Sequence, residues 1–268
     1  MSLIQAVILA IIEGITEFLP ISSTAHMKFA NPLLGVAGGP FSDMFEVVIQ
    51  LAAILSVVIL YWKKFFDFTN LKFYVKLIVA VIPALVFGYF FKSYIDDALG
   101  NLVFIASVMI GGGIILLFVD SLFTNNTINE EKRISFPKAF IIGCFQVLSI
   151  VFPGLSRSAA TIIGGMSQKL TRSLAAEFSF FLAVPTMLAA SVKSFMDVYK
   201  TNPEVLNKDN YTILGVGAVV AFIVALIAVK FFISYLQKNG FKAFGYYRIL
   251  LGLAMLGLIY GGYISTAH

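Results

Sequence analysis

Residues 13–26 read Glu-Gly-Ile-Thr-Glu-Phe-Leu-Pro-Ile-Ser-Ser-Thr-Ala-His, a polar stretch set in an otherwise apolar sequence. The twelve residues that precede it carry no charged side chain. An ionised carboxylate at bilayer depth costs about 2.5–3.5 kcal/mol, so the pair Glu13 and Glu17 would cost roughly 5–7 kcal/mol. A chain that carries this cost normally uses it to hold an ion, a substrate or a proton. Because the two glutamates are four residues apart, they share one face of a helix and predict one joint site.

A helix break follows the glutamates at Pro20, since proline lacks an N–H and disfavours helix at the residue before it. Beyond this break, Ser22, Ser23 or Thr24 can cap a second helix. The free N–H groups and the dipole at the start of such a helix attract anions. The stretch therefore predicts a helix–break–helix hairpin that brings carboxylates close to an anion-binding helix end.

Composition indicates the class of protein. Of the 268 residues, 59% are hydrophobic and only 12% are charged, against about 25% charged in an average soluble domain. We therefore interpret the chain as an integral membrane protein. The net charge of +5 fits lysines and arginines in short loops between spans, so we expect no nucleic-acid partner. The single Cys144 excludes an internal disulfide, and the absence of Lys or Arg before the first apolar run argues against a cleaved signal peptide.

Six apolar stretches are candidate spans, and two others are too irregular to be spans. Residues 139–168 contain one charged residue, Arg157, and a Pro153-Gly154 break. They are too many for one straight span and too few for two spans with a turn. Residues 1–27 have the same character, so we expect both stretches to be re-entrant helical hairpins, covered by protein or lining a polar cavity. The candidate spans lie between residues 46 and 63, 76 and 92, 97 and 120, 177 and 193, 209 and 230, and from 248 to the C-terminus.

The two hairpins align with each other at a constant shift of 133 residues. This shift places Pro20 on Pro153 and Ser23 on Ser156. We predict an all-α membrane protein with a single domain of two inverted repeats. Each repeat contains one re-entrant hairpin and three transmembrane helices, an odd number that inverts the second half. The repeats comprise about residues 1–123 and 139–268, and the charged linker between them is 124–138.

Loop charges predict the orientation. With six spans, three loops rich in Lys and Arg fall on one side of the membrane, and the side with both termini is poor or balanced in charge. The positive-inside rule therefore places both termini, and the active site, outside. The basic loops are residues 63–76, 132–138 and 230–248, with Arg248 counted in the last of them.

The second hairpin reads Pro-Gly-Leu-Ser-Arg-Ser at residues 153–158. Pro-Gly breaks the helix, and Ser156 can cap the helix that follows. An arginine at a helix N-terminus among hydroxyls suits a phosphate, because planar donors, backbone N–H groups and the helix dipole converge there. The alternative is that Arg157 neutralises Glu13 or Glu17 as a buried ion pair.

This combination predicts a divalent cation. Carboxylates and phosphates repel each other unless a cation lies between them, and Mg²⁺ is typically held by one or two carboxylates together with phosphate oxygens. We therefore expect Glu13 and Glu17 to hold a divalent cation, Mg²⁺ or Ca²⁺. The implied substrate is a phosphate or diphosphate, and the depth of the site implies a lipid-linked one.

These motifs resemble those of the undecaprenyl-diphosphate phosphatase family, also called the bacitracin resistance protein family. The resemblance covers both halves of the chain and nearly its full length. The family usually has glycine where this chain has Ala25 and Ala159. Alanine tolerates helix better and positive φ worse, so either the turn geometry or the close approach to the substrate is expected to change there. The matching segments are Glu13-x-x-x-Glu17-Phe18-Leu19-Pro20-x-Ser22-Ser23-Thr24-x-His26, Pro153-Gly154-x-Ser156-Arg157-Ser158-x-x-Thr161, residues 45–51 and residues 177–185.

The resemblance implies hydrolysis of undecaprenyl diphosphate to undecaprenyl phosphate and inorganic phosphate. That reaction recycles the lipid carrier of peptidoglycan synthesis and gives bacitracin resistance in a bacterial inner (plasma) membrane. Glu17 and Arg157 are expected to be catalytic, since phosphoryl transfer depends on positioning and electrostatics. Ser23 is the candidate nucleophile, with His26 as its base or proton donor, and a metal-activated water is the rival nucleophile. Substrate contacts are expected from Ser22, Thr24, Ser156, Arg157, Ser158 and Thr161.

Other functions remain as alternatives. An inverted-repeat secondary transporter would use Glu13 and Glu17 as cation or proton sites, and a lipid-phosphate flippase would move the product between leaflets. A membrane phosphatase of the acid-phosphatase type is rejected, because no histidine follows Ser156-Arg157 at the required spacing. The sequence leaves open whether the chain acts alone or as a homodimer.

Overall fold

The computed structural model describes residues 1–264, and their regular structure is helical. These residues form no β-strand, and the single β-bridge among them joins Ile128 to Leu170. The predicted all-α class is thereby confirmed. The α-helices are α1 (Leu3–Thr16), α2 (Ser23–Leu33), α3 (Pro40–Leu60), α4 (Trp62–Phe65), α5 (Leu71–Phe90), α6 (Lys92–Gly100), α7 (Leu102–Leu122), α8 (Phe136–Val151), α9 (Arg157–Ser167), α10 (Arg172–Thr201), α11 (Lys208–Asn239) and α12 (Lys242–Tyr260).

Six helices are long and apolar enough to cross a membrane: α3, α5, α7, α10, α11 and α12. They correspond to the six predicted spans, and the chain is a multi-pass membrane protein. α10 and α11 run beyond the predicted charge boundaries, to 30 and 32 residues. Charged residues at helix ends thus mark where the apolar part of a helix stops, and the helix itself continues past them.

The two predicted hairpins are helix–break–helix units. α1 and α8 have 14 and 16 residues. With a rise of about 1.5 Å per residue, each helix is shorter than the roughly 30 Å hydrocarbon core. Each packs against the helix that follows its break, α2 or α9. α8 begins at Phe136, inside the stretch predicted as the linker. The inverted orientation of the two halves stays a prediction.

The serines that cap the second helix of each hairpin are one residue further apart in the sequence than the predicted shift. Ser22, at φ 70°, caps α2 by accepting a hydrogen bond from the Ala25 N–H. Ser156, at φ 76°, caps α9 by accepting one from the Ala159 N–H. The structural counterpart of Ser156 is therefore Ser22, and the predicted pairing with Ser23 is wrong. The second break has one more residue between its proline and its cap than the first, and a constant shift cannot reproduce that insertion.

The alanines that depart from the family pattern lie in regular helix. Ala25 is the third residue of α2 and Ala159 the third residue of α9. Positive φ falls instead on Ser22, Ser156 and Gly154, so the expected effect of the alanines on turn geometry is wrong. Positive φ at the two serines stores strain of about 1–3 kcal/mol each, which persists only where the surrounding structure enforces it.

Two glycines let the hairpins approach the spans closely. A Cβ on Gly14 would lie 2.8 Å from the carbonyl oxygen of Ala221 on α11. A Cβ on Gly143 would clash with the carbonyl oxygen of Ala80 on α5. This close packing holds α1 and α8 against the spans, so that the two breaks come into contact with each other.

Candidate active site

Glu17 joins the two hairpins. It follows the last residue of α1 and is only 6% exposed. Ser23, the first residue of α2, donates its hydroxyl to Glu17 Oε2 at 2.6 Å. Arg157, the first residue of α9, donates Nη2 to Glu17 Oε1 at 2.8 Å. We call these three residues the junction; it brings together the nucleophile, carboxylate and guanidinium that the sequence predicts.

The contact of Arg157 with Glu17 is the ion pair named above as the alternative to phosphate binding. Arg157 also donates Nη1 to the Ser179 carbonyl at 3.3 Å. The guanidinium nevertheless lines the cavity described below. The ion pair therefore holds Arg157 at the cavity wall, and phosphate binding by this side chain stays a prediction.

Glu13 differs from Glu17 in its partners. It lies one helical turn earlier in α1 and is 2% exposed. Within residues 1–264, its Oε1 atom has no hydrogen-bond partner. A buried, unpartnered carboxylate oxygen is costly, and a cation would satisfy it. Glu13 thus fits the predicted metal ligand better than Glu17, whose two oxygens already accept hydrogen bonds.

A cavity of about 280 Å³ opens at the junction. Its lining includes both polar and apolar side chains, which suits a molecule with a charged head and a hydrocarbon chain. The polar lining consists of Glu17, Gln50, Gln146, Thr186, Arg157 and the hydroxyl residues Ser22, Ser23, Thr24, Ser149 and Ser156. The apolar lining includes Ile95, Leu99, Ile150, Met187 and Ala190.

Two predicted substrate contacts lie behind the cavity wall. Ser158 donates its hydroxyl to the Leu19 carbonyl at 2.8 Å, which ties α9 to the first break. Thr161 is fully buried and lies 2.6 Å from the Ser179 hydroxyl on α10. Neither lines the cavity. Their hydroxyls are bonded within the protein, and their direct contact with substrate stays a prediction.

His26 does not contact Ser23 as expected. Its Nδ1 lies 2.7 Å from the Ser22 carbonyl, and its Nε2 lies 2.7 Å from the Tyr247 hydroxyl. Because a carbonyl can only accept, Nδ1 carries the proton and Nε2 accepts from Tyr247. The ring folds back onto the first turn of α2, where the carbonyl of its capping residue supplies the nearest acceptor. The acceptor beside Ser23 is Glu17.

Arg248 is a site residue that sequence reasoning missed. It is completely buried, and within residues 1–264 its guanidinium donates only to backbone carbonyls. These belong to the two breaks, at Pro20, Gly154 and Leu155, and to Met109 on α7, at 2.7–3.3 Å. Counting Arg248 as a loop cation was therefore wrong, since α12 begins at Lys242 and carries it into the bundle. The signal available was its position next to the stretch from residue 249 onward, which contains no Asp, Glu, Lys or Arg.

Gln50 and Thr186 were also missed as lining residues. Gln50 lies in a quoted family segment, whereas Thr186 follows directly after another. Gln146 and Thr186 approach each other across the cavity wall at 3.4 Å. Both missed residues are uncharged polar residues within apolar helices, and that pattern is the sequence signal that could have identified them.

Comparison with known proteins gives a consistent result. The family described as "Bacitracin resistance protein BacA" matches residues 6–254. An undecaprenyl-diphosphatase of Flavobacterium johnsoniae is 55% identical over 257 residues, which cover 96% of each chain. Proteins of the same name from Porphyromonas gingivalis and Bdellovibrio bacteriovorus are 48% and 45% identical, each over 98% of both chains.

Proposed function

The chain belongs to the bacitracin resistance protein family, and we propose that it is an undecaprenyl-diphosphatase. It hydrolyses undecaprenyl diphosphate to undecaprenyl phosphate and inorganic phosphate, which recycles the lipid carrier for cell-wall synthesis. The junction carries this proposal: a hydroxyl and a guanidinium meet on the two oxygens of Glu17, in a cavity that both polar and apolar side chains line.

Phosphate binding falls to Arg157 and to the starts of α2 and α9. The first N–H groups of a helix are free to bind an anion, and the helix dipole favours negative charge there. The planar guanidinium can grip two phosphate oxygens at once. Prenyl carbons would then lie along the apolar lining, which includes Leu99 and Met187.

Ser23 is the nucleophile that the contacts favour. Its hydroxyl already donates to Glu17, so the carboxylate can take the proton as Ser23 Oγ attacks the terminal phosphorus. The bond from that phosphorus to the bridging oxygen breaks, and undecaprenyl phosphate leaves. Water then releases inorganic phosphate from the serine. In the rival route water attacks directly and Ser23 only positions the phosphate.

His26 acts through its neighbours in this proposal. Its bond to the Ser22 carbonyl holds the first turn of α2, and Tyr247 fixes the opposite edge of the ring. The planes of the two rings are nearly parallel, at 3°. His26 is then a positioning residue for Ser23, and its substitution is expected to lower kcat without removing the nucleophile.

The divalent cation, Mg²⁺ or Ca²⁺, belongs next to Glu13, whose Oε1 has no partner in the described part of the chain. A bound cation would neutralise the charge of the diphosphate next to the two carboxylates. Glu17 was predicted as a second ligand; its contacts with Ser23 and Arg157 favour the role of proton acceptor.

We propose that the protein lies in a bacterial plasma membrane with its active site toward the outer side. The active-site cavity is lined by Ile95 and Leu99 of α6, on the side that the positive-inside rule assigns to the exterior. A separate cavity is lined by lysines from two of the basic loops, Lys63, Lys64 and Lys132. This proximity is expected if those loops lie on the same side of the membrane. The homodimer stays a prediction.

Phosphate release tests the proposal. Purified protein in detergent should release inorganic phosphate from a long-chain prenyl diphosphate, and EDTA should stop the reaction. A protein that releases no phosphate, yet moves the intact lipid across the bilayer of sealed vesicles, would favour the flippase alternative.

A further inference from the structure

Gln146 is a buried amide that lines the active-site cavity and is poorly bonded within the protein. It lies on α8 and is 1% exposed. Within residues 1–264, the hydrogen-bond partner of its side chain is Thr186 on α10, at 3.4 Å. Such hydrogen bonds are normally about 2.7–3.2 Å long, so this one is weak. A buried amide without a better bond is costly unless a ligand satisfies it.

Thr186 determines which way the amide of Gln146 is turned. A threonine hydroxyl carries a single proton, and that of Thr186 goes to the Leu182 carbonyl at 2.8 Å. Thr186 therefore accepts from Gln146 Nε2; the reverse pairing, from the hydroxyl to Gln146 Oε1, is longer, at 3.5 Å. An amide has two N–H donors. The second donor is left for a ligand in the cavity.

Other side-chain donors near Gln146 are already committed. The Ser149 hydroxyl donates to the Gln146 carbonyl at 2.7 Å, and the Thr186 hydroxyl donates to its own helix. Among the lining side chains within residues 1–264, those with N–H donors are Arg157, Gln50 and Gln146. Arg157 binds the terminal phosphate in the proposed function. The ester-linked phosphate then falls to an uncharged amide, and Gln146 is more deeply buried than Gln50.

The sequence repeat gives an independent reason to assign Gln146 to an anion. Gln146 lies seven residues before Pro153, and Glu13 lies seven residues before Pro20. The second hairpin thus carries an amide where the first carries a carboxylate of nearly the same shape. Within residues 1–264, the lining of the active-site cavity includes Gln146 and not Glu13. A carboxylate would repel a phosphate there, whereas an amide can donate to it.

We propose that Gln146 binds the ester-linked phosphate of the prenyl diphosphate and stabilises it as the leaving group. This inference rests on the proposed function. When the bond from the terminal phosphorus to the bridging oxygen breaks, the electron pair stays on that oxygen, and the departing undecaprenyl phosphate gains negative charge. A hydrogen bond to this phosphate strengthens as the charge develops, and an interaction of that kind raises kcat.

A non-hydrolysable substrate analogue tests the assignment without turnover. Farnesyl methylenediphosphonate has an ester-linked and a terminal phosphorus, which phosphorus nuclear magnetic resonance distinguishes when the analogue is bound to the full-length protein with Mg²⁺. Gln146→Met keeps the length of the side chain and removes its donors. It should move the ester-linked resonance and spare the terminal one, and it should weaken binding about tenfold or more, because a charged acceptor loses its partner. Arg157→Lys should move the terminal resonance instead.

Two further variants complete the test. Gln146→Glu keeps the shape of the side chain and adds a negative charge, so it should weaken analogue binding more than Gln146→Met does. Gln168→Met is the matched control, because the Gln168 amide donates to the Ser167 hydroxyl at 3.1 Å and lies outside the cavity lining. It should change neither the resonances nor the affinity.

The outcomes separate the role of Gln146 from the phosphatase activity. Equal movement of both resonances, or none, in Gln146→Met and Gln146→Glu proteins that elute normally would overturn the inference. A lowered thermal midpoint with unchanged analogue affinity would also overturn it and leave Gln146 as a contact between helices. Phosphate release from a long-chain prenyl diphosphate is measured in parallel. Analogue binding as expected without hydrolysis by the unaltered protein would refute the phosphatase and keep the phosphate contact of Gln146. Hydrolysis with kcat/KM of Gln146→Met within about twofold of normal would do the reverse.

Discussion

Replacing Arg248 by methionine should disable the site more than it destabilises the fold. Arg248 is buried and donates to carbonyls of both breaks, at Pro20, Gly154 and Leu155, and to Met109. Irregular backbone within a membrane must have its carbonyls satisfied by protein or water. The guanidinium performs this task for both breaks at once, and thereby fixes where the junction residues lie.

The magnitude follows from these bonds. A buried acceptor that loses its donor costs about 1–3 kcal/mol, so four carbonyls amount to roughly 4–12 kcal/mol. Methionine also removes a buried charge, which recovers several kcal/mol. We expect a net loss of stability of about 3–5 kcal/mol. A shift of about 1 Å in a reacting group lowers activity roughly 100-fold, and we expect at least that loss in kcat/KM.

The assay is phosphate release together with the thermal midpoint in detergent. Arg133→Met is the matched control, because Arg133 is exposed; surface substitutions usually change stability by no more than about 0.5 kcal/mol. Gly112→Ala should act like the Arg248 variant, since its Cβ would clash with Arg248 Nη2. If Arg248→Met kept kcat/KM within about threefold of the control, the proposed role of Arg248 in holding the two breaks would be refuted.

Three further predictions concern the cation, the phosphate and the orientation. Arg157→Lys keeps the charge but loses the planar fork, so kcat/KM should fall by about 100-fold or more in protein that still elutes normally; near-normal activity would leave only a structural ion pair. EDTA should abolish phosphate release and Mg²⁺ restore it, and Glu13→Gln should raise the Mg²⁺ concentration for half-maximal activity; full activity in EDTA would refute the cation. In a Cys144→Ala background, an impermeant maleimide should label Ser93→Cys and spare Thr69→Cys in whole cells, and the reverse pattern would invert the orientation.

The hairpins and the junction were predictable because their signals are local. Carboxylates four residues apart, a proline break and capping serines each act within a few residues. Complementary charge then predicts that a buried Arg157 must find an acidic partner. The register between the breaks was not predictable, since one inserted residue in the second break moves the counterpart of Ser156 from Ser23 to Ser22.

The contacts of α12 could not be predicted, because they join residues far apart in the chain. Tyr247 bonds His26 across 221 positions, and Arg248 bonds Pro20 across 228. An arginine between lysines and an apolar run looks like a loop cation, and only the packed bundle shows otherwise. The same holds for His26, whose ring selects the Ser22 carbonyl and a distant tyrosine over a hydroxyl three residues away.

The central claim is that Ser23, activated by Glu17, takes the terminal phosphate. Acid quench within the first turnover, using prenyl diphosphate labelled in that phosphate, should trap label on Ser23. Ser23→Ala should trap none and lose activity by three orders of magnitude or so, whereas Ser22→Ala removes a cap worth about 1 kcal/mol and should still trap label. Unlabelled protein at every quench time, together with Ser23→Ala turnover within about tenfold of normal, would contradict the claim and assign the attack to water.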